Sequence, residues 1–149
     1  MRRVLLIAGQ LAVGVGPSAA AAPPKVSQLV VYRDGSAGAK TVSTRATQVG
    51  VGGHRCTAGD GTALAALVRS KPGKLRLRDF GGCSRRARDG GGLFVSAIRG
   101  EANRGQDGWV YKVGRRAATA GAADPQGPFG RGRLRAGQRV TWFLSLIHI

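Results

Sequence analysis

Few residues in this chain have the type and spacing that catalysis requires. His54 lies two residues before Cys56, so on an extended strand the two side chains would share a face and could form a nucleophile–base dyad. The other histidine is His148. One histidine beside one cysteine cannot complete a tetrahedral metal site. We therefore predict no catalytic residue, no metal site and no bound cofactor.

The acidic residues are also poorly placed for catalysis. The chain has seven of them, and nearly all lie at predicted turns, where aspartate caps backbone groups. No pair has the spacing of glycosidase or calcium-binding carboxylates. The glycine run at residues 50–53 lacks the lysine and the following helix of a phosphate-binding loop. These patterns indicate a protein that is not an enzyme.

Cys56 and Cys83 are the only cysteines in the chain. An isolated pair in an oxidising compartment usually forms a disulfide, and a loop of this length contributes about 3 kcal/mol on the chain-entropy model. A disulfide accounts for Cys56 better than a dyad with His54 does. The alternatives are two inert thiols and, less favoured, a metal site.

The first residues have the layout of a secretory signal peptide. A short positive segment with Arg2 and Arg3 precedes an apolar run over residues 4–15, and small residues follow Pro17. We predict a signal peptide over residues 1–22 and a secreted or cell-envelope location. No membrane span is expected after cleavage. The alternative is a retained anchor, although the run is short for a bilayer.

The charge of the chain is strongly positive. It has 24 basic and 7 acidic residues, a formal net charge of +17. Such a field favours anionic partners, for example a cell-envelope polymer, whereas a general compositional bias toward arginine would give the same count. The densest basic cluster is Arg85, Arg86 and Arg88, and it lacks interleaved aromatic residues. We therefore expect no specific nucleic-acid partner.

Apolar periodicity predicts one helix and several strands. Leu64, Leu67 and Val68 share one helical face, so a helix is expected from an Asp60 N-cap to about Arg69. Residues 52–56 are expected to form a loop. Strands are predicted over residues 26–32, 41–51, 74–78, 93–98, 109–113 and 138–143. The aromatic residues are expected to anchor the core: Tyr32, Phe80, Phe94, Trp109, Tyr111, Phe129, Trp142 and Phe143. This pattern gives an α+β domain.

Two segments resemble the C-terminal domain family of transcobalamin-like proteins. The first is Asp107-Gly108-Trp109-Val110-Tyr111-Lys112-Val113, and the second is Gly137-Gln138-Arg139-Val140-Thr141-Trp142. The family has Gly-Trp-x-Tyr-x-Val in the first position and Gly-Asp-x-Val-x-Trp in the second. The resemblance covers roughly residues 56–143 and implies a domain over 23–143. It implies a β-grasp-like fold, with one short helix packed on a mixed sheet of five or six strands.

The resemblance also bears on ligand binding. In cobalamin carriers the matching domain forms one side of the corrin pocket. Separately, Trp109 and Tyr111 alternate with Val110 and so share a sheet face, where they could stack on a ligand ring; they are weak candidates for a ligand-binding face. The alternative is that both rings belong to the core. Gly114-Arg115 replaces the family's Asn-Gly turn, and Gln138 replaces its aspartate. The large helical domain of the carriers has no counterpart here, so a cobalamin-type ligand is a distant alternative.

The last residues, Leu144-Ser145-Leu146-Ile147-His148-Ile149, form an apolar string without a turn residue. The string resembles translated sequencing-adapter sequence, so residues 144–149 are interpreted as a non-native tail. The alternative is that they extend an edge strand.

Two functions are consistent with these patterns. The first is an exported, non-enzymatic binding or interaction module for an unknown partner, such as a small molecule. The alternative is a structural cell-envelope protein held to anionic polymers by its arginines. Ionic strength distinguishes the two, because electrostatic retention weakens as salt increases.

Overall fold

The computed structural model describes residues 20–83 and 87–146. Most of the predicted signal peptide, Arg85, Arg86 and residues 147–149 lie outside the described residues.

The chain begins with two hairpins that belong to different sheets. Strands β1 (Lys25–Val31) and β2 (Ala37–Ser43) pair antiparallel, and β3 (Thr47–Val51) pairs with β4 (His54–Ala58). The single strand predicted over 41–51 is therefore wrong. The segment between the two strands contains Thr44, which is fully buried. Its amide and its hydroxyl both donate to the Pro24 carbonyl.

The predicted loop over residues 52–56 is also wrong. Gly52 and Gly53 have φ angles of 55° and 83°, which are the paired left-handed conformations of a tight hairpin turn. The turn uses only these two residues, so His54 already lies in β4, opposite Val51.

Helix α1 spans Ala63–Ser70. Its N-cap is Thr62 and not Asp60, because the Thr62 hydroxyl accepts a hydrogen bond of 3.1 Å from the Ala65 amide. Asp60 instead lies 3.6 Å from the guanidinium of Arg133, near the surface. The helix packs against β1, β2 and β3.

A three-stranded sheet follows the helix. Strand β5 (Leu75–Asp79) pairs antiparallel with β6 (Leu93–Ile98), and β6 pairs with the short β7 (Glu101–Ala102). A 3₁₀ segment over Ala87–Gly92 precedes β6.

The last strands complete a five-stranded mixed sheet. Strand β8 (Gly108–Val113) pairs with β9 (Arg116–Ala117) and with β10 (Arg139–Ser145). The order is β2-β1-β10-β8-β9, and β10 runs parallel to β1. Strand β10 includes Leu144 and Ser145, which the sequence analysis assigns to a non-native tail, and it lies inside the sheet and not at its edge.

The α+β class is confirmed. One short helix packs on a mixed sheet, but the described strands form three sheets and not one. The expectation that every aromatic residue anchors the core is wrong for three of them. Phe143 is half-buried, lies opposite the exposed Val110 and does not join the buried cluster. Phe80 is 74% exposed and Phe94 is 45% exposed, because both occupy the solvent-facing side of the β5–β6 pair.

Candidate functional site

Trp109 and Tyr111 project from β8 toward the core. They are 3% and 7% exposed, and their polar atoms are paired with backbone carbonyls. The indole Nε1 of Trp109 donates to Glu101 over 2.7 Å, and the phenol of Tyr111 donates to Ala120 over 3.0 Å. The two candidate ligand-face residues are therefore core residues, and neither presents its ring on the molecular surface.

Trp142 joins these two rings from the neighbouring strand. It lies opposite Tyr111 in the β8–β10 register, and their rings stack with centroids 5.1 Å apart and planes inclined by 26°. Trp142 is only 1% exposed. Its Nε1 is buried and has no hydrogen-bond acceptor among the described residues. A buried donor without an acceptor costs free energy, so this atom requires an explanation.

A cavity of about 410 Å³ lies beside the three rings. Its lining is mainly apolar, and we call it the aromatic cavity. Strand β6 contributes one wall, and the connection after β9 contributes another. The lining residues are Leu93, Phe94, Val95, Trp109, Val110, Tyr111, Ala117, Ala118, Ala120, Gly121, Ala122, Trp142, Phe143 and Ser145.

Backbone hydrogen bonds fix the connection that forms the second wall. The amide of Leu64, in the first turn of α1, donates to the Ala122 carbonyl over 2.8 Å. The amide of Thr119 donates to the Pro128 carbonyl over 3.0 Å. The wall of small residues is thus attached both to the helix and, through Tyr111, to β8. Such attachment makes the cavity a preformed feature and not a gap between mobile segments.

Burial raises the pKa of the Tyr111 phenol well above its ordinary value, and the nearby carboxylate of Asp124 raises it further. The phenol therefore stays protonated at neutral pH. It serves as a hydrogen-bond donor to the Ala120 carbonyl and so positions the cavity wall.

Cys56 and Cys83 form the predicted disulfide, with their Cα atoms 5.5 Å apart. The Cys–His dyad is therefore absent, because Cys56 carries no thiol in this state. His54 lies on the exposed part of β4.

The carboxylate of Asp79 organises the turn that carries Cys83. It accepts hydrogen bonds from the amides of Cys83 and Gly81, and these bonds lower the pKa of the carboxyl group. A carboxylate oxygen of Asp79 lies within 4.8 Å of both sulfur atoms, which is a spacing that metal ligands can have. In the disulfide neither sulfur is a thiolate, so this group lacks the ligands that a metal ion needs.

Sequence reasoning found the three aromatic residues but not the cavity. Its remaining walls come from residues 93–95 and 117–122, which are distant in the chain and carry no motif. The only sequence signal was the run of small residues around Ala120, which leaves space beside large rings.

No helix within the described ranges has both the length and the apolar character needed to cross a membrane. No family model and no curated protein matches the chain. Among solved structures, the chain is similar to a candidate metal-binding protein from Ruminococcus gnavus ATCC 29149. The TM-score is 0.51 and the sequence identity is 12%, and the match covers 84% of this chain and 99% of that chain. A likeness at this identity concerns the fold alone.

Proposed function

We propose that this protein is a non-enzymatic binding module that holds a small, uncharged, ring-bearing molecule in the aromatic cavity. One observation carries the proposal. The cavity of about 410 Å³ is lined mainly by apolar side chains, and one of its lining residues is Trp142, whose buried Nε1 has no acceptor among the described residues. Ligand pockets in proteins typically have this size, about 300–1,000 Å³, and combine apolar walls with a few polar groups.

The lining limits the chemistry of the ligand. None of the lining side chains is charged, so a charged ligand would lose its hydration without gaining a partner. Flat rings would pack against the apolar walls of the cavity, to which Phe94 and Phe143 contribute the more exposed aromatic rings. A carbonyl oxygen or ring nitrogen on the ligand would give Trp142 the acceptor that it lacks. We therefore propose an uncharged ring compound with one hydrogen-bond acceptor.

Two further features support the proposal that the protein acts outside the cytoplasm and is not an enzyme. Cys56 is bonded to Cys83, so it cannot act as a nucleophile beside His54. Structural disulfides persist in oxidising compartments, which agrees with export through the predicted signal peptide.

The β-grasp-like fold and the transcobalamin-like affiliation are part of the same proposal. In support, the helix follows the second hairpin but packs against β1 and β2 of the first, and the last strand lies between β1 and β8 and parallel to β1. The two segments that carry the resemblance, residues 107–113 and 137–142, also pair directly with each other. Tyr111 faces Trp142 across the sheet, and Val113 faces Val140. A cobalamin-type ligand stays a distant alternative, because this domain would supply only one side of a corrin pocket.

Saturation-transfer NMR with three neutral ring probes, namely benzene, indole and coumarin, tests the proposal. We expect all three to receive saturation from the protein, because an apolar cavity of this size accepts small rings. The Ala120→Leu variant fills the cavity from a partly exposed position. We expect it to abolish the transfer while the melting temperature changes little.

The matched control is Ala39→Leu, which adds the same side chain to β2, away from the cavity. Binding should survive this change and should not depend on ionic strength. If none of the probes binds the wild-type protein, or if they bind equally to Ala120→Leu, the aromatic cavity is not a ligand site. Salt-sensitive binding of an anionic polymer, without saturation transfer to the neutral probes, would favour the electrostatic alternative.

A further inference from the structure

The outer surface of the β5–β6 pair carries cations and aromatic rings side by side. Arg76 and Arg78 alternate along β5 with the half-buried Leu75, Leu77 and Asp79. Phe80 continues the same alternation, and its amide donates to the Gly92 carbonyl over 3.0 Å, which extends the pairing. On β6, Phe94 lies directly opposite Arg78. We call this surface of Arg76, Arg78, Phe80 and Phe94 the Arg–Phe face.

The two phenylalanine side chains are largely exposed to solvent. Phe80 is 74% exposed and Phe94 is 45% exposed. They contact each other edge to face, with centroids 6.1 Å apart and planes inclined by 68°. They border a groove of about 810 Å³, to which residues 50–52, 102–103 and 105–108 contribute the sides. A single exposed apolar residue needs no explanation, but two adjacent rings at a groove indicate an interaction surface.

The two arginines are available for anions. Neither guanidinium forms an ion pair within the part of the chain that the structure describes. At two residues apart on a strand, their Cα atoms are separated by about 6.8 Å. Asp107 is the single acidic residue among those lining the groove, so the positive charges outnumber it two to one.

We propose that the Arg–Phe face binds single-stranded nucleic acid without sequence preference. This ligand alternates an anionic phosphate and a flat base at each step, which matches the alternation of guanidinium and phenyl groups. Binding surfaces for single strands combine a positive groove with aromatic platforms on which bases stack. The inference is independent of the aromatic cavity, which lies on other residues except for Phe94.

The arrangement differs from what the sequence predicted. The densest basic cluster in the sequence is Arg85, Arg86 and Arg88, which has no interleaved aromatic residue, whereas Phe80 and Phe94 were expected in the core. Pairing of β5 with β6 brings Phe94 beside Arg78 although the two are far apart in the chain. An acidic peptide without aromatic residues would satisfy the arginines but would leave the two rings without flat partners.

Fluorescence anisotropy with a short fluorescein-labelled oligothymidylate tests the inference on the full chain. We expect Phe80→Ala and Phe94→Ala each to weaken binding about tenfold, the usual effect of losing one stacking platform. In Arg76→Ala/Arg78→Ala, the log–log slope of affinity against salt should become shallower by about 1.4, since each single-strand phosphate contact contributes about 0.7.

The matched control is Arg131→Ala/Arg135→Ala, which removes the same charge from exposed residues outside the groove. Circular dichroism melting checks that each variant folds. We expect all of them to fold, because the substituted side chains are exposed. The inference is overturned if the control weakens binding as much as the Arg76→Ala/Arg78→Ala variant. It is also overturned if the phenylalanine variants bind normally, or if polygalacturonate, an acidic glycan, displaces the oligonucleotide at a lower charge concentration than unlabelled oligothymidylate does.

Discussion

Trp142 stacks on Tyr111 across the β8–β10 pairing, with ring centroids 5.1 Å apart and ring planes inclined by 26°. The stack places two large rings beside the aromatic cavity and leaves one polar atom, the Nε1 of Trp142, without an acceptor among the described residues. This combination of a rigid apolar wall and an unused donor is the basis of the proposed function.

Burial of Tyr111 predicts that the protein loses stability at high pH. The pKa of the phenol is raised in the folded state, whereas the unfolded chain ionises at its ordinary value of 10.0. Above that pH the unfolded state releases the proton and the folded state retains it, so the free energy of unfolding falls as pH rises. Urea denaturation below and above pH 10 measures the effect. The Tyr111→Phe variant should show a smaller decrease, and an equal decrease would contradict the assignment.

The disulfide should contribute substantially to stability. Cys56 and Cys83 are separated by 27 residues, so we expect Cys56→Ser/Cys83→Ser to lower the free energy of unfolding by about 3 kcal/mol. Denaturation of the wild-type protein with and without a reductant provides the comparison. The reductant should leave the double variant unchanged. A wild-type protein that is equally stable after reduction would show that the crosslink has no role in folding.

The helix N-cap provides a separate test of the fold. Thr62→Ala should cost about 1–2 kcal/mol, because the fully buried hydroxyl accepts from Ala65 and donates to Gly59. Thr62→Ser retains the hydroxyl and should cost much less. Asp60→Ala should have little effect, since its contact with Arg133 is exposed. Thermal denaturation distinguishes these results, and a larger loss from Asp60→Ala would restore Asp60 as the cap.

Two glycines in the connection after β9 should respond differently to alanine. Both Gly127 and Gly130 have positive φ angles, of 80° and 66°. A Cβ on Gly127 would collide with the backbone carbonyl of Gly132, whereas a Cβ on Gly130 would meet open space. Gly130→Ala should therefore cost about 1–2 kcal/mol, the penalty of the left-handed conformation alone, and Gly127→Ala should cost more. Equal losses in chemical denaturation would contradict the close approach at Gly127.

Local patterns predicted those elements whose signals are local. The apolar run over residues 93–98 is β6, and the alternation from residue 74 is β5 within one residue. The isolated cysteine pair predicted the disulfide. The strand at His54 was missed because its residues, His-Arg-Cys-Thr-Ala, have weak apolar alternation, and only the pairing with β3 makes them a strand.

The sites depend on contacts between distant segments, which explains why the sequence indicated them only in part. Phe80 follows Arg76 and Arg78 at intervals of two residues. Because side chains alternate between the two faces of a strand, this spacing alone could have placed Phe80 on the charged face of β5. Phe94 lies within a continuous apolar run, where alternation is not visible. No local pattern could show that the β6 segment and residues 117–122 enclose a cavity beside Trp142.

The indole N–H resonances in a ¹H–¹⁵N NMR spectrum test the central claim most directly. The chain has two tryptophans, and Trp109→Phe and Trp142→Phe assign their signals. On titration with coumarin, a neutral ring compound with a carbonyl acceptor, we expect the Trp142 signal to move downfield and saturate, while the Trp109 signal, already bonded to Glu101, moves little. A Trp142 signal that stays unchanged at saturating coumarin would contradict the account. The donor would then be satisfied inside the core, for example by the buried Oε1 of Gln28, which also lacks a partner among the described residues.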